Sequence, residues 1–198
     1  SRVNMFTLAG FGEITNYRFP LFVLTLLHYC VIWMANMTII LTILLDKKFH
    51  EPMYIFLCNL CINSLYATAG FYPKILSDIL TASRVISYVG CFLQSYVLYS
   101  SICAEFSLLV LMAYDRYVAI CRPLVYHSVM TSRRVCLLVF IAWLVPLYMM
   151  FMSTIALSRN KLCGSHIPKI YCINDFIDKL SCSASVTYPL IVGNYLHL

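Results

Sequence analysis

The sequence predicts an all-α membrane protein with four complete membrane-spanning helices and the start of a fifth. Of its 198 residues, 62% are hydrophobic and only 11% are charged, whereas soluble domains are typically ~45–50% apolar and ~25% charged. The mean hydropathy is +0.83. A helix needs ~20 mostly apolar residues to cross a bilayer, and four runs of the sequence exceed that length. This composition argues against a soluble globular domain and against a disordered chain.

The apolar runs follow one another and are separated by polar loops. The predicted segments are a tail at 1–18, spans at 19–45, 53–79, 88–113 and 135–157, a long loop at 158–183 and a fifth apolar run at 184–198. Pro52 precedes the second span, where a proline in the first helical turn costs no hydrogen bond. The fifth run is too short to cross the membrane as a helix. No run alternates between apolar and polar residues, which argues against a transmembrane β-barrel.

Four of the ten cysteines indicate the orientation of the chain in the membrane. Six lie within or next to apolar runs, where cysteine behaves as a small apolar residue. The other four lie on one side of the predicted membrane and are Cys91, Cys163, Cys172 and Cys182. Four cysteines allow three pairings, and disulfides form in oxidising compartments. We therefore expect the tail and the long loop to be extracellular, which the basic residues of the loops support only slightly.

The most specific motif lies at the end of the third span. Residues 112–121 have the sequence MAYDRYVAIC, and Pro123, Leu124 and Tyr126 follow them. This run resembles the signature of the odorant receptors, a branch of the rhodopsin-like G-protein-coupled receptors. The sequence PMYIFL at 52–57 looks like the family's opening of the second helix, and the three cysteines of the long loop are similar to the family's outer loop.

The resemblance implies that 1–198 is a single, incomplete receptor domain from a seven-transmembrane helical bundle. The rest of helix five, helices six and seven and the C-terminal tail would lie beyond this sequence. The family pattern also implies the disulfides Cys91–Cys172, which joins the third helix to the long loop, and Cys163–Cys182 within that loop. The loop would then be held as a lid over the bundle.

The resemblance further implies a G-protein-coupling site at the inner end of the third span. The expected residues are Asp115, Arg116, Tyr117, Pro123, Leu124 and Tyr126. In the family the arginine, here Arg116, is held by the preceding acid, here Asp115, and is released on activation. The alternative is an arginine that only extends from a helix end towards water.

The expected ligand contacts lie in the outer half of the third span. They are apolar or weakly polar residues at helical spacing, as in most small-molecule sites, and are Leu98, Tyr99, Ile102 and Cys103. No acid occurs in this half of the span, which argues against an amine ligand. The alternative is that the four residues only pack against neighbouring helices.

Glu105 is the only acid deep inside a predicted span, which makes it a candidate functional group. Odorant receptors usually carry a second acid on helix two, and the pair can hold a sodium ion. The second position falls at Ser64 here, so a weakened sodium site is our expectation, and no other cofactor is predicted. The alternative is a neutral Glu105 hydrogen-bonded to Asn63, Ser64 or Asn36.

Together these features predict an odorant receptor-like protein of the plasma membrane, multi-pass in the lipid bilayer with an extracellular N-terminus. It would bind a small organic odorant and activate a stimulatory olfactory heterotrimeric G protein, which raises cyclic AMP. The alternative is a truncated or pseudogene-derived fragment that inserts in the membrane without signalling. A transporter or channel would carry more charges or broken helices inside the membrane. No enzyme motif occurs, and the net charge of +6 forms no stripe for nucleic-acid binding.

Overall fold

Four long helices dominate the computed structural model, which describes residues 5–9, 17–81, 85–180 and 182. The helices are α1 (Arg18–Leu45), α2 (Pro52–Thr81), α3 (Tyr88–Cys121), α4 (Tyr126–Val129), α5 (Ser132–Ser158) and α6 (Asn174–Lys179). The strands are β1 (Met5–Leu8), β2 (Val85–Ser87) and β3 (His166–Ile167). Single 3₁₀ turns at Lys47–Phe49 and Pro123–Val125 precede α2 and α4.

The long helices α1, α2, α3 and α5 have the length and apolar composition of membrane spans. The shortest has 27 residues and is about 40 Å long, which exceeds the ~30 Å core of a bilayer. Many large apolar side chains on these helices are exposed in the described chain, as expected where a helix faces lipid. The predicted all-α membrane fold is therefore confirmed. The predicted fifth run at 184–198 lies outside the described residues.

The helix α3 continues beyond the predicted end of the third span at residue 113 and ends at Cys121. Hydropathy marks where a segment leaves the apolar layer, whereas a helix ends where its backbone hydrogen bonds end. The first strong helix breaker after the span is Pro123, which also disfavours helical backbone at Arg122. The motif Asp115–Tyr117 is consequently helical.

The chain divides into two compact units. The first contains Ser1–His28, Ala69–Tyr99 and Tyr148–Leu198, and the second contains Tyr29–Thr68 and Ser100–Leu147. The described core of the first unit consists of Phe6, Leu8, Ile86, Cys91, Phe92, Leu157, Ile167, Cys172 and Ile177. A smaller cluster in the second unit consists of Ile40, Ile43, Cys58 and Cys61.

A small sheet in the first unit was not predicted from the sequence. Its strand order is β2-β1-β3, with β1 antiparallel to β2 and parallel to β3. Successive side chains of a strand point to opposite faces, and here Phe6 and Leu8 are buried whereas Met5 and Thr7 are exposed. Strands of two to four residues are too short to show a reliable hydrophobic period, which explains why an all-helical prediction missed them.

Basic side chains stabilise the C-terminal end of α2. The Arg18 guanidinium at the start of α1 donates to the Ile79 carbonyl from Nε at 3.2 Å and from Nη2 at 2.9 Å. Lys74 donates to the carboxylate of the buried Asp78 and, at 2.9 Å, to the Val85 carbonyl. The last carbonyls of a helix lack partners within the helix and carry partial negative charge, so the arginine cap is favourable.

Gly70 marks a close approach of α2 to α3, because a Cβ at this position would lie 2.5 Å from Cγ1 of Val97. We expect Gly70→Ala to lower the free energy of unfolding by about 1–2 kcal/mol, since the added methyl overpacks the contact. The double variant Gly70→Ala/Val97→Ala should regain most of this loss. Thermal unfolding of the purified receptor measures both effects. Equal losses in the single and double variants would contradict the proposed steric cause.

Candidate functional site

Three polar side chains form a cluster at the end of α3. Asp115 is fully buried, and its Oδ2 accepts hydrogen bonds from Nε and Nη2 of Arg116 at 3.1 and 2.5 Å. Its Oδ1 accepts a hydrogen bond from the Tyr126 hydroxyl at 2.8 Å. Both carboxylate oxygens therefore have charged or polar donors, and the bond to Tyr126 connects α3 to the start of α4.

Burial differs strongly between the two charged partners. The side chain of Asp115 is 0% exposed, whereas that of Arg116 is 47% exposed. A buried carboxylate is stable only when it is paired and hydrogen-bonded, and the half-exposed guanidinium can exchange this partner for water or for another protein. Arg116 is thus placed to serve both as counter-ion of Asp115 and as part of the surface.

Burial raises the pKa of Tyr126 to about 12, and its hydrogen bond to Asp115 and the charge of that carboxylate act in the same direction. The positive charge of Arg116 opposes this shift. A raised pKa means that the folded state holds the phenolic proton more tightly than the unfolded state. The resulting stabilisation is complete below about pH 10, the ordinary tyrosine value, and is lost as the pH rises through about 12.

The variant Tyr126→Phe should lower the free energy of unfolding by about 1 kcal/mol, because the buried Asp115 loses a hydrogen-bond donor. In a spectrophotometric titration, subtracting the variant from the wild type should leave one phenol that ionises near pH 12. Tyr117→Phe is the matched control for stability, because Tyr117 is an exposed tyrosine on α3, two residues after Asp115. A difference transition near pH 10 would contradict the described hydrogen bond.

The other predicted coupling residues lie on the surface of the second unit. Tyr117 is exposed on α3, Pro123 begins the 3₁₀ turn after that helix, and Leu124 is 100% exposed. The structure thus places Tyr117, Pro123 and Leu124 in or next to the chain segment that joins Arg116 to Tyr126. This segment forms a surface of mixed polar and apolar side chains.

The four predicted ligand contacts are all on α3. Leu98, Tyr99 and Cys103 are partly buried, and Ile102 is exposed in the described chain. A different groove in the first unit, with a volume of about 370 Å³, is lined by Leu21, Leu24, Thr25, His28, Phe71, Tyr72, Ile75, Ile79 and Ile170. In this groove the Tyr72 hydroxyl lies 2.7 Å from Nδ1 of His28. In the sequence, His28 and Tyr72 are polar residues within two separate apolar runs, and the sequence does not show that they contact each other.

The structure joins Cys91 to Cys172 and Cys163 to Cys182, with Cα–Cα distances of 5.3 and 5.1 Å. Both distances lie within the usual range for disulfides. The first bridge is fully buried, because neither Cys91 nor Cys172 is exposed. It fixes the start of α3 to the loop that follows α5.

Two further side chains of α3 hold the same loop, and sequence reasoning missed both. The Gln94 amide oxygen accepts a hydrogen bond from the Cys172 backbone N–H at 3.0 Å, and the Ser95 hydroxyl donates to the Asn174 side-chain oxygen. Gln94, Ser95 and Asn174 are all buried. The only signal of Gln94 and Ser95 in the sequence was polarity inside an apolar run, close to Cys91.

Glu105 is exposed and makes no hydrogen bond or ion pair with any described residue. The partners expected for it are bonded to other groups: the Asn63 amide donates to the Ser101 carbonyl at 2.9 Å, and the Asn36 amide donates to the Ser64 hydroxyl at 3.3 Å. The side-chain oxygen of Asn63 is buried and lacks a partner in the described part of the chain. Among the described residues, no group of three or more His, Cys, Asp or Glu could hold a metal ion.

Comparison with known proteins assigns the class. A sequence profile of the 7 transmembrane receptor (rhodopsin family) matches residues 35–198, which is more than half of the chain. The chain therefore belongs to the seven-transmembrane receptors of the rhodopsin family, and within that class it is a member of the olfactory receptors.

Its relatives within that family come from several mammals. The chain is 36% identical to olfactory receptor 6E1 of Mus musculus over 91% of this chain and 58% of the relative. It is 38% identical to olfactory receptor 7C1 of Homo sapiens over 94% of this chain and 59% of the relative. For olfactory receptor 6N1 of Homo sapiens, the identity is 34% over 100% of this chain and 69% of the relative. The chain spans about three fifths of the length of most such relatives.

Because these proteins are receptors, the prediction that the chain is not an enzyme is confirmed.

Proposed function

We propose that this olfactory receptor binds a small organic odorant and activates a heterotrimeric G protein of the stimulatory olfactory type, which raises cyclic AMP. The observation that carries the proposal is the ion pair between the half-exposed Arg116 and the buried Asp115 at the end of α3. An arginine held in this way has two states, paired with Asp115 or released to a partner. An odorant that binds the released state more tightly shifts the population towards it.

The proposed odorant is mainly apolar. The side chains that α3 would offer to it are Leu98, Tyr99, Ile102 and Cys103. A site lined by such apolar groups leaves orientation and specificity to a few polar groups, as in most small-molecule sites. No carboxylate of α3 lies among these four residues, so an ammonium group would have no counter-charge there.

We place the receptor in the plasma membrane as a multi-pass protein with its N-terminus outside. Support comes from the two disulfides, which need an oxidising compartment. Further support comes from β1, because the tail pairs with a strand of the loop that contains three of the four bridged cysteines. The tail and this loop therefore share one side of the membrane. Because disulfides form in oxidising compartments, we assign that side to the outside of the cell.

The test is a cyclic AMP assay on the complete reading frame, screened against a panel of odorants. In Arg116→Ala the odorant-dependent signal should fall by roughly tenfold or more, after correction for the amount of receptor at the cell surface. Arg133→Ala is the matched control, since Arg133 is an exposed arginine at the start of α5. A full signal in the Arg116 variant would refute the coupling role. A signal through another second messenger would refute the choice of G protein.

We also propose that any effect of sodium on odorant affinity depends on Glu105. One carboxylate attracts a cation less strongly than the two carboxylates usual in the family. Sodium should therefore shift odorant affinity only weakly in the wild type and not at all in Glu105→Gln. An unchanged sodium response in the variant would refute this role.

A further inference from the structure

The tail before α1 supplies the central strand of the sheet. Strand β1 lies between β2 and β3, which are not neighbours of each other. The Thr7 N–H donates to the Ser165 carbonyl at 2.8 Å, and the Ala9 N–H donates to the Ile167 carbonyl at 2.9 Å. The short strands β2 and β3 would otherwise each present an unpaired edge, and strands of this length are not stable alone.

The inward side chains of β1 also cover the buried disulfide. Phe6 is 0% exposed and stacks on Tyr88 with ring centroids 6.0 Å apart. Phe6 and Leu8 belong to the same buried cluster as Cys91 and Cys172. The tail therefore contributes core residues to the region of the loop that follows α5. The Cys91–Cys172 bridge is not the only feature that holds this loop in place.

We propose that Met5–Leu8 is a positioning element for the loop that follows α5. It holds this loop through backbone hydrogen bonds to β3 and through Phe6 and Leu8 in the shared core. The consequence for odorants rests on the proposed function: if the loop covers the ligand, the order of β1 sets how long an odorant stays bound. The loop's own position does not depend on that assumption.

The two faces of β1 provide a matched pair of variants. Phe6→Ala removes an inward aromatic side chain, whereas Met5→Ala removes a large apolar side chain from the same strand that is 58% exposed. Hydrogen exchange of the purified full-length receptor is followed in peptides that contain residues 163–172. Phe6→Ala should speed exchange there by roughly tenfold or more, and Met5→Ala should leave it unchanged. Equal exchange in the wild type and Phe6→Ala, or equal acceleration in both variants, would overturn the proposal.

A cysteine pair tests the same strand without weakening the core. Thr7 and Val85 are register partners on the exposed face of β1 and β2. Thr7→Cys/Val85→Cys should form a cross-link under mild oxidation, whereas Thr7→Cys/Ser87→Cys, two residues out of register, should not. Failure of the in-register pair to cross-link, or equal cross-linking of both pairs, would overturn the placement of β1.

Odorant dissociation from the same receptors separates the two proposals. Phe6→Ala should accelerate dissociation together with hydrogen exchange, and Met5→Ala should change neither. If Phe6→Ala loosens the loop without changing dissociation, the positioning role of β1 stands and the loop is not the cover of the ligand. If the loop is not loosened, the positioning role itself is refuted, whatever the odorant response.

Discussion

Replacing both Cys91 and Cys172 by alanine should lower the free energy of unfolding by about 4 kcal/mol, the largest single effect that we expect in this chain. The bridge joins residues 81 positions apart, so its loss restores much conformational freedom to the unfolded chain. The bond also belongs to a buried cluster. Its removal leaves the loop after α5 held to the start of α3 by the hydrogen bonds of Gln94 and Ser95, and to the tail by β1. Thermal unfolding and the amount of receptor at the cell surface are the measurements.

The second bridge offers an internal comparison for this prediction. Cys163 and Cys182 are only 19 positions apart, and the same relation predicts a loss of about 3 kcal/mol for their replacement. Alanine at Cys30 or Cys136, which are free and exposed, should have little effect. A larger loss from the Cys163–Cys182 pair than from the Cys91–Cys172 pair would contradict the expected order.

Arg116→Leu should lower the free energy of unfolding by about 2 kcal/mol, because it leaves the Asp115 carboxylate buried with only the Tyr126 hydroxyl as a described side-chain donor. The value is smaller than for a fully buried pair, since water screens the half-exposed guanidinium. The double variant Asp115→Asn/Arg116→Leu should regain most of the loss, because no buried charge then remains without its partner. Denaturant or thermal unfolding of the four receptors completes the cycle.

Two results would contradict this account of the ion pair. One is additivity, in which the double variant is as unstable as the sum of the single variants. The other is an equal loss in Arg133→Leu, because Arg133 is exposed and outside the cluster. Either result would mean that the loss of stability in Arg116→Leu does not come from the buried Asp115 carboxylate left without its counter-ion.

Hydropathy predicted the long helices because each span must be almost continuously apolar, and this property is local in the sequence. The same reasoning placed the end of the third span at residue 113, eight positions before α3 ends at Cys121. It also missed β1, β2 and β3. Their residues acquire strand structure only from partners far away in the chain, such as Thr7 from Val85 and His166.

The candidate site was predictable to the extent that its residues are neighbours in the sequence. Asp115 and Arg116 are adjacent on a helix, and their pairing follows once the motif is recognised. The contacts of Gln94 with Cys172 and of Arg18 with Ile79 join residues 78 and 61 positions apart. Such contacts depend on which helices and loops are neighbours in space. Nothing in the periodicity of one sequence carries that information.

The position of β1 in the sheet constrains the order in which the chain can fold during synthesis. The strand is made first, whereas its partners at Val85–Ser87 and His166–Ile167 are made later. At ~5–20 residues per second, roughly 8–30 s of translation separate β1 from β3. The sheet therefore cannot be completed until all four long helices have been synthesised. The strand at its centre, although the first part of the sheet to be made, therefore lacks its partner β3 throughout that interval.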